Sequence, residues 1–152
     1  MKTSKRFENA VSKLYAAFHE DRLNANICAA CAVGNICDNE PLWSDMCGGY
    51  GITGELGTLK KYIDEEVLDF IKPFGYSPLE LVTIEKVFLN AMGFYTYEEI
   101  KDHKSKSLQF KGLCAVVEYL CQLEGISNMM DYTSLFETEN DKPKKELIEV
   151  FE

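Results

Sequence analysis

The stretch SPLELVTIEKVFLNAMG, residues 77–93, constrains the fold more than any other part of the chain. Both of its ends are written in residue types. Ser77 offers a side-chain oxygen at the cap, Pro78 falls in the first turn where a missing N–H costs nothing, and Glu80 completes the pattern of a capping box. Gly93 is placed to end the helix in a left-handed conformation. Between them Leu81, Val82, Ile84, Val87, Phe88, Leu89 and Met92, with Glu85 in their midst, make the helix apolar over most of its circumference. Such a helix belongs at the centre of a core, so other elements must surround it.

Those elements carry the same period. Phe7, Val11, Leu14, Tyr15 and Phe18 recur along one helical stripe and predict a helix from about Ser4 to about Leu23. Phe110, Leu113, Cys114, Val117, Leu120, Cys121 and Glu124 predict another over 107–124, closed by Gly125, with both cysteines as small buried hydrophobes. Leu59, Tyr62, Ile63, Val67, Phe70 and Ile71 predict a third, halted by Pro73. The small residues of Ile27 to Ile36 predict a short buried helix, and Thr96 with Glu99 predicts a brief one to about His103. No segment alternates with the period of a strand. The expected fold is therefore all-α, a single-domain bundle of five or six helices with a Gly-rich loop.

A chain of 152 residues, 46% of them hydrophobic, is long enough for one sizeable core. Residues 1–136 read as that single helical domain. The remainder, 137–152, holds nine charged residues in sixteen and reads as a charged C-terminal tail. With 25 acidic against 16 basic residues and a net charge of −9, the chain lacks the basic face that nucleic-acid binding needs. No apolar run approaches the ~20 residues that span a bilayer. Neither a nucleic-acid partner nor membrane insertion is expected. The N-terminal stretch mixes charged and apolar residues at helical spacing, unlike a signal peptide, which makes the cytoplasm the expected compartment and reduced thiols the expected state.

Candidate chemistry gathers in NANICAACAVGNICDNEPLWSDMCGGYGITGELG, residues 24–57. Four of the six cysteines, the one tryptophan and six of the ten glycines lie there. Cys28, Cys31, Cys37 and Cys47 have the spacing C-x2-C-x5-C-x9-C, one knuckle of a thiolate metal site without its second half. Cys28 and Cys31 are the candidate metal ligands, and as C-x-x-C they are also a candidate redox pair, while plain packing is the reading that the incomplete spacing favours. On one helix over 27–37 the 100° step puts Cys37 nearly opposite Cys28, so those two could not share a metal. Near a helix start Cys28 and Cys31 should be more reactive than Cys114 and Cys121. A cysteine nucleophile with His19 or His103 is a further pairing, although a surface histidine near a helix end serves as well to cap carbonyls. Gly49, Gly51 and Gly54 match G-x-G-x-x-G, but WSDMCG before them is no apolar strand, so a dinucleotide site does not follow.

The segments KRFENAVSKLYAAFH, CAVGNI, FGYSPLELVTIEKVFL and FKGLCAVVEYLCQLEGI, followed by MDYTSLF, resemble a family of small Bacteroidota proteins that carry the label of the flavin- and NADH-binding component of the sodium-translocating NADH:quinone reductase. The resemblance covers the chain to about residue 136. That reductase component has a membrane helix, a C-x4-C-x2-C ferredoxin motif and flavin- and NADH-binding domains. This chain has a different cysteine spacing and no spanning helix, and 152 residues cannot hold those domains. The resemblance therefore implies no flavin, NADH or iron–sulfur chemistry, and no cofactor is assigned. With no acid, base and nucleophile set legible, the expected function is that of a binding or interaction protein. Segment 24–57 would be its functional surface, meeting a protein partner or a second copy of the chain; thiol-redox or metal-thiolate chemistry at Cys28 and Cys31 is the alternative.

Overall fold

A computed structural model describes residues 4–25, 30–40, 65–93 and 104–126. Among them are five α-helices and one 3-10 turn, and no strand. They run in the order α1 (Lys5–His19), α2 (Ala32–Ile36), α3 (Glu65–Ile71), the 3-10 turn (Lys72–Phe74), α4 (Pro78–Met92) and α5 (Lys106–Glu124). The Gly-rich loop, Cys28, Cys47, Trp43, the brief helix before His103 and the charged tail lie outside the described residues.

Helix α4 is the centre, with α5 along one side and α2 against another, while α1 packs on both α2 and α5. Its ends are those expected. The Ser77 hydroxyl accepts the Glu80 N–H at 3.1 Å, the Glu80 carboxylate accepts the Ser77 N–H at 2.8 Å, and Gly93 turns left-handed at φ 97°. Phe7, Leu14 and Phe18 of α1, Val33 and Ile36 of α2, Ile84 and Phe88 of α4 and Val117 of α5 belong to one continuous buried cluster. Each such side chain contributes about 1.5–3 kcal/mol by leaving water.

The helix ends are tied by side chains from distant parts of the chain. Helix α1 stops at His19 rather than near Leu23 because Asp21 adopts φ 59°, letting the Arg22 N–H reach back to the Ala17 carbonyl at 2.8 Å. The α1 carbonyl end is then capped by Lys106, the first residue of α5, which donates to the Phe18 carbonyl and pairs with Asp21 at 3.0 Å. His19 lays its ring against Tyr15 and Phe18 at centroid distances of 4.6 and 5.0 Å. At the opposite end of the bundle Arg6 binds Glu124 at 2.7 Å and the Gly75 carbonyl at 2.9 Å, with its guanidinium over the Tyr76 ring. Pro73 ends the α-helix before it, yet the chain stays helical for one 3-10 turn until Gly75 at φ 86°.

Helix α5 buries Leu113, Val117, Leu120 and Cys121 of its apolar stripe, but its buried face is turned to one side of that stripe. Gln109, Gly112 and Val116 are buried, while Phe110 and Cys114 are only half-buried. The expectation of Cys114 as a buried residue is corrected. Gly112 accounts for the rotation: a methyl placed on it would lie 2.6 Å from Phe88 Cδ1, so the two helices approach too closely there for any side chain.

Candidate functional site

The described part of segment 24–57 is organised by α2. A helix starting near Ile27 is expected, but the backbone at Cys31 is extended, with φ −76° and ψ −175°, and the helix opens at Ala32. Cys31 is its N-cap. The Sγ accepts the Gly34 N–H at 3.4 Å, doing with sulfur what Ser or Asp does with oxygen. At the other end Asp38 and Asn39 are both left-handed, and the Asn39 N–H returns to the Gly34 carbonyl at 2.7 Å. All five residues of α2 are buried.

A five-residue helix has too few internal bonds to stand alone, and three polar anchors fix it. Asn35 donates to the carbonyls of Ala30 and Cys31, both at 2.9 Å, and accepts from the Asn39 amide at 3.0 Å. Lys13 of α1 donates to the Ile36 carbonyl at 3.0 Å, pairs with Asp38 at 2.7 Å and lies over the Phe74 ring. The third anchor is Glu85 of α4.

Glu85 is 2% exposed. Its Oε1 accepts the Val33 N–H at 3.1 Å, one of the orphan donors of the first turn of α2. The Cys31 side chain hydrogen-bonds the same carboxyl group. Oε2 is buried without a hydrogen-bond partner among the described residues. Burial pushes the carboxyl up to about 7, against the smaller opposing pull of the bonds from Cys31 and Val33, and no charged side chain contributes. A carboxyl that exchanges its proton near neutrality therefore touches one member of the C-x-x-C pair.

None of the four described cysteines, Cys31, Cys37, Cys114 and Cys121, is in a disulfide. Cys31 and Cys37 cap opposite ends of α2, and burial pushes the Cys37 thiol up to about 12, with Asp38 adding to the effect and Lys13 opposing it. The Cys121 thiol is also raised, first by burial and then by the charge of Glu124, as expected of a thiol on the α5 core face. Among the described residues no group of three or more His, Cys, Asp or Glu side chains is arranged to hold a metal ion. His103 and the G-x-G-x-x-G match, like Cys28, lie outside those residues.

Glu85 is the site residue that the sequence reading missed. Its signal was present as the only carboxylate on an otherwise apolar face between Leu81 and Met92. Beside the site, the Asn24 N–H donates to the Ala30 carbonyl at 2.8 Å and closes the loop that contains Cys28 in sequence. The two ends of that loop, with Arg22, Lys104 and Gln109, line an open depression of about 360 Å³. Among the described residues no helix is long and apolar enough to cross a membrane. The chain matches no protein-family profile, no curated protein and no solved structure with which it was compared.

Proposed function

We propose that the protein is a small helical binding protein whose functional surface is segment 24–57, presented from the core by α2. The observation that carries this reading is the fixing of α2: its five buried residues are braced within the segment by Asn35 and tied to two other helices, α4 through Glu85 and α1 through Lys13. A segment so firmly mounted can offer the residues on either side of its anchor to a ligand with little loss of conformational freedom on binding. A protein partner or a second copy of this chain, met in the cytoplasm, is the proposed ligand. The test replaces residues 41–57 by a short Gly-Ser linker and compares both proteins by circular dichroism and native mass spectrometry. The expected result is unchanged helicity with loss of a bound peptide or second copy that the natural chain carries. Identical mass spectra for the two proteins would refute the reading.

A second reading is thiol chemistry at Cys28 and Cys31, and the contact between Cys31 and Glu85 favours it specifically. Disulfide exchange and metal ligation are both open to this pair, because an N–H on Cys31 Sγ stabilises a thiolate in either role. Elemental analysis for zinc and iron, with thiol mapping of the native protein, separates the two.

A further inference from the structure

We propose that α2 is a latch worked by pH: neutral Glu85 keeps the helix seated on α4, and ionised Glu85 releases α2 and its two capping cysteines from the core as a unit. This goes beyond the binding reading above and does not depend on what segment 24–57 meets.

Glu85 is 2% exposed, its Oε1 holds the Val33 N–H at 3.1 Å, and its Oε2 is buried without a hydrogen-bond partner among the described residues. Neutral, the carboxyl leaves one oxygen unbonded. Ionised, it is a charge in an apolar interior that keeps only the bonds from Val33 and Cys31, and what it lacks is water. Helix α4 cannot carry Glu85 to water without taking the core apart, because α2 and α5 both pack on it. Helix α2 can move aside more cheaply. It is five residues long and packs chiefly on α1 and α4. The bonds of Asn35 travel with it, since their partners Ala30, Cys31 and Asn39 belong to the same segment. From α2 the carboxyl faces the Cys31 thiol, and α5, the other helix along α4, brings no charged or titratable side chain to it. Lys13 of α1 and Asp38 act on Cys37 at the far end of α2.

The direction follows from where the proton is held. With α2 seated, burial raises the carboxyl from 4.5 to about 7; with α2 released and water at the carboxyl, that cause is gone. Between those two values the seated form keeps a proton that the released form gives up. Seating is therefore firmest below pH 4.5, weakens as pH rises and is weakest above about 7. Within that range the ratio of released to seated α2 climbs about tenfold per pH unit, and from pH 5.5 to 8 it climbs roughly 30-fold. Neutrality lies near the upper end of the range, so mild acidification tightens the latch.

The test labels the natural protein and Glu85→Gln with methyl methanethiosulfonate from pH 5.5 to 8, read by peptide mass mapping, with the reagent dilute enough that rates stay proportional to it. Dividing each rate by that of the same cysteine in the urea-unfolded chain at the same pH removes the thiols' own pH dependence and leaves the released fraction. Cys31 and Cys37 cap opposite ends of α2 and both have 0% exposure, so equal release at the two reports a helix that moves as a unit. In the natural protein both should be released equally, about tenfold or more beyond what global unfolding in urea titrations allows, and roughly 30-fold more at pH 8 than at pH 5.5. In Glu85→Gln the released fraction should not change with pH. Release no greater than global unfolding, or release of Cys31 without Cys37, overturns the proposal. A natural profile that is flat, or that Glu85→Gln reproduces, overturns it as well. Should the Gln variant fail to fold, the natural protein's own profile and its comparison with global unfolding decide.

Discussion

Replacing Glu85 by Gln should change how stability depends on pH, in a direction fixed by the structure. The folded carboxyl is raised from 4.5 to about 7 by burial. At about 1.36 kcal/mol per unit, that shift corresponds to roughly 3 kcal/mol, and a fully buried group needs no discount for solvent screening. Between those two values the native state holds a proton that the unfolded chain has released. The stabilisation is thus complete below pH 4.5, declines as pH rises and is gone above about 7. Gln keeps an oxygen for the Val33 N–H and cannot ionise. Urea titrations followed by far-UV circular dichroism at half-unit steps from pH 4.5 to 8 give the two stability curves. Their difference cancels every other titrating group, and it should move by about 3 kcal/mol in favour of the variant between pH 4.5 and 8. A difference that stays flat across that range would show that the carboxyl is solvated or paired in solution, contrary to its burial without a partner for Oε2.

Gly112→Ala should destabilise the fold by up to about 2 kcal/mol in urea titrations, because overpacking against the buried Phe88 ring costs about 1–3 kcal/mol and alanine regains roughly 1 kcal/mol in a helix; a stabilised variant would refute the close approach of α4 and α5. Gly75→Ala should cost about 2 kcal/mol, since alanine at φ 86° is strained and its methyl would lie 2.7 Å from Arg6 Cβ, displacing the residue that binds Glu124. In native maleimide labelling read by mass mapping, half-buried Cys114 should react well before Cys37 and Cys121; fast labelling of Cys37, buried and with its thiol pushed up to about 12, would contradict its placement.

What could be read in the sequence was the local part of the fold. The capping box at Ser77, the stop at Gly93 and the stop at Gly125 use neighbours three to five residues apart, and each stands where the residue types put it. The facing of α5 was legible only in part. Hydrophobicity marks which residues avoid water, but the side of α5 that meets α4 is set by Gly112, whose contribution is the absence of a side chain. The start of α2 was misplaced because a cysteine is not recognised as a cap, although its sulfur can accept an N–H. The anchors of α2 come from Lys13 and Glu85, 23 and 52 residues away from their partners Ile36 and Val33, and no periodicity encodes such pairings. The same holds for Lys106 on the Phe18 carbonyl.

The choice of an acid at position 85 bears on how α2 is held. To hold the Val33 N–H, any acceptor suffices, and a neutral glutamine in that place would avoid the roughly 3 kcal/mol that ionisation removes above pH 7. An anchoring role therefore predicts that Glu85→Gln is at least as stable as the natural chain at pH 8. A less stable variant at that pH would show that the ionised carboxylate, and not any acceptor in its place, is what holds the first turn of α2.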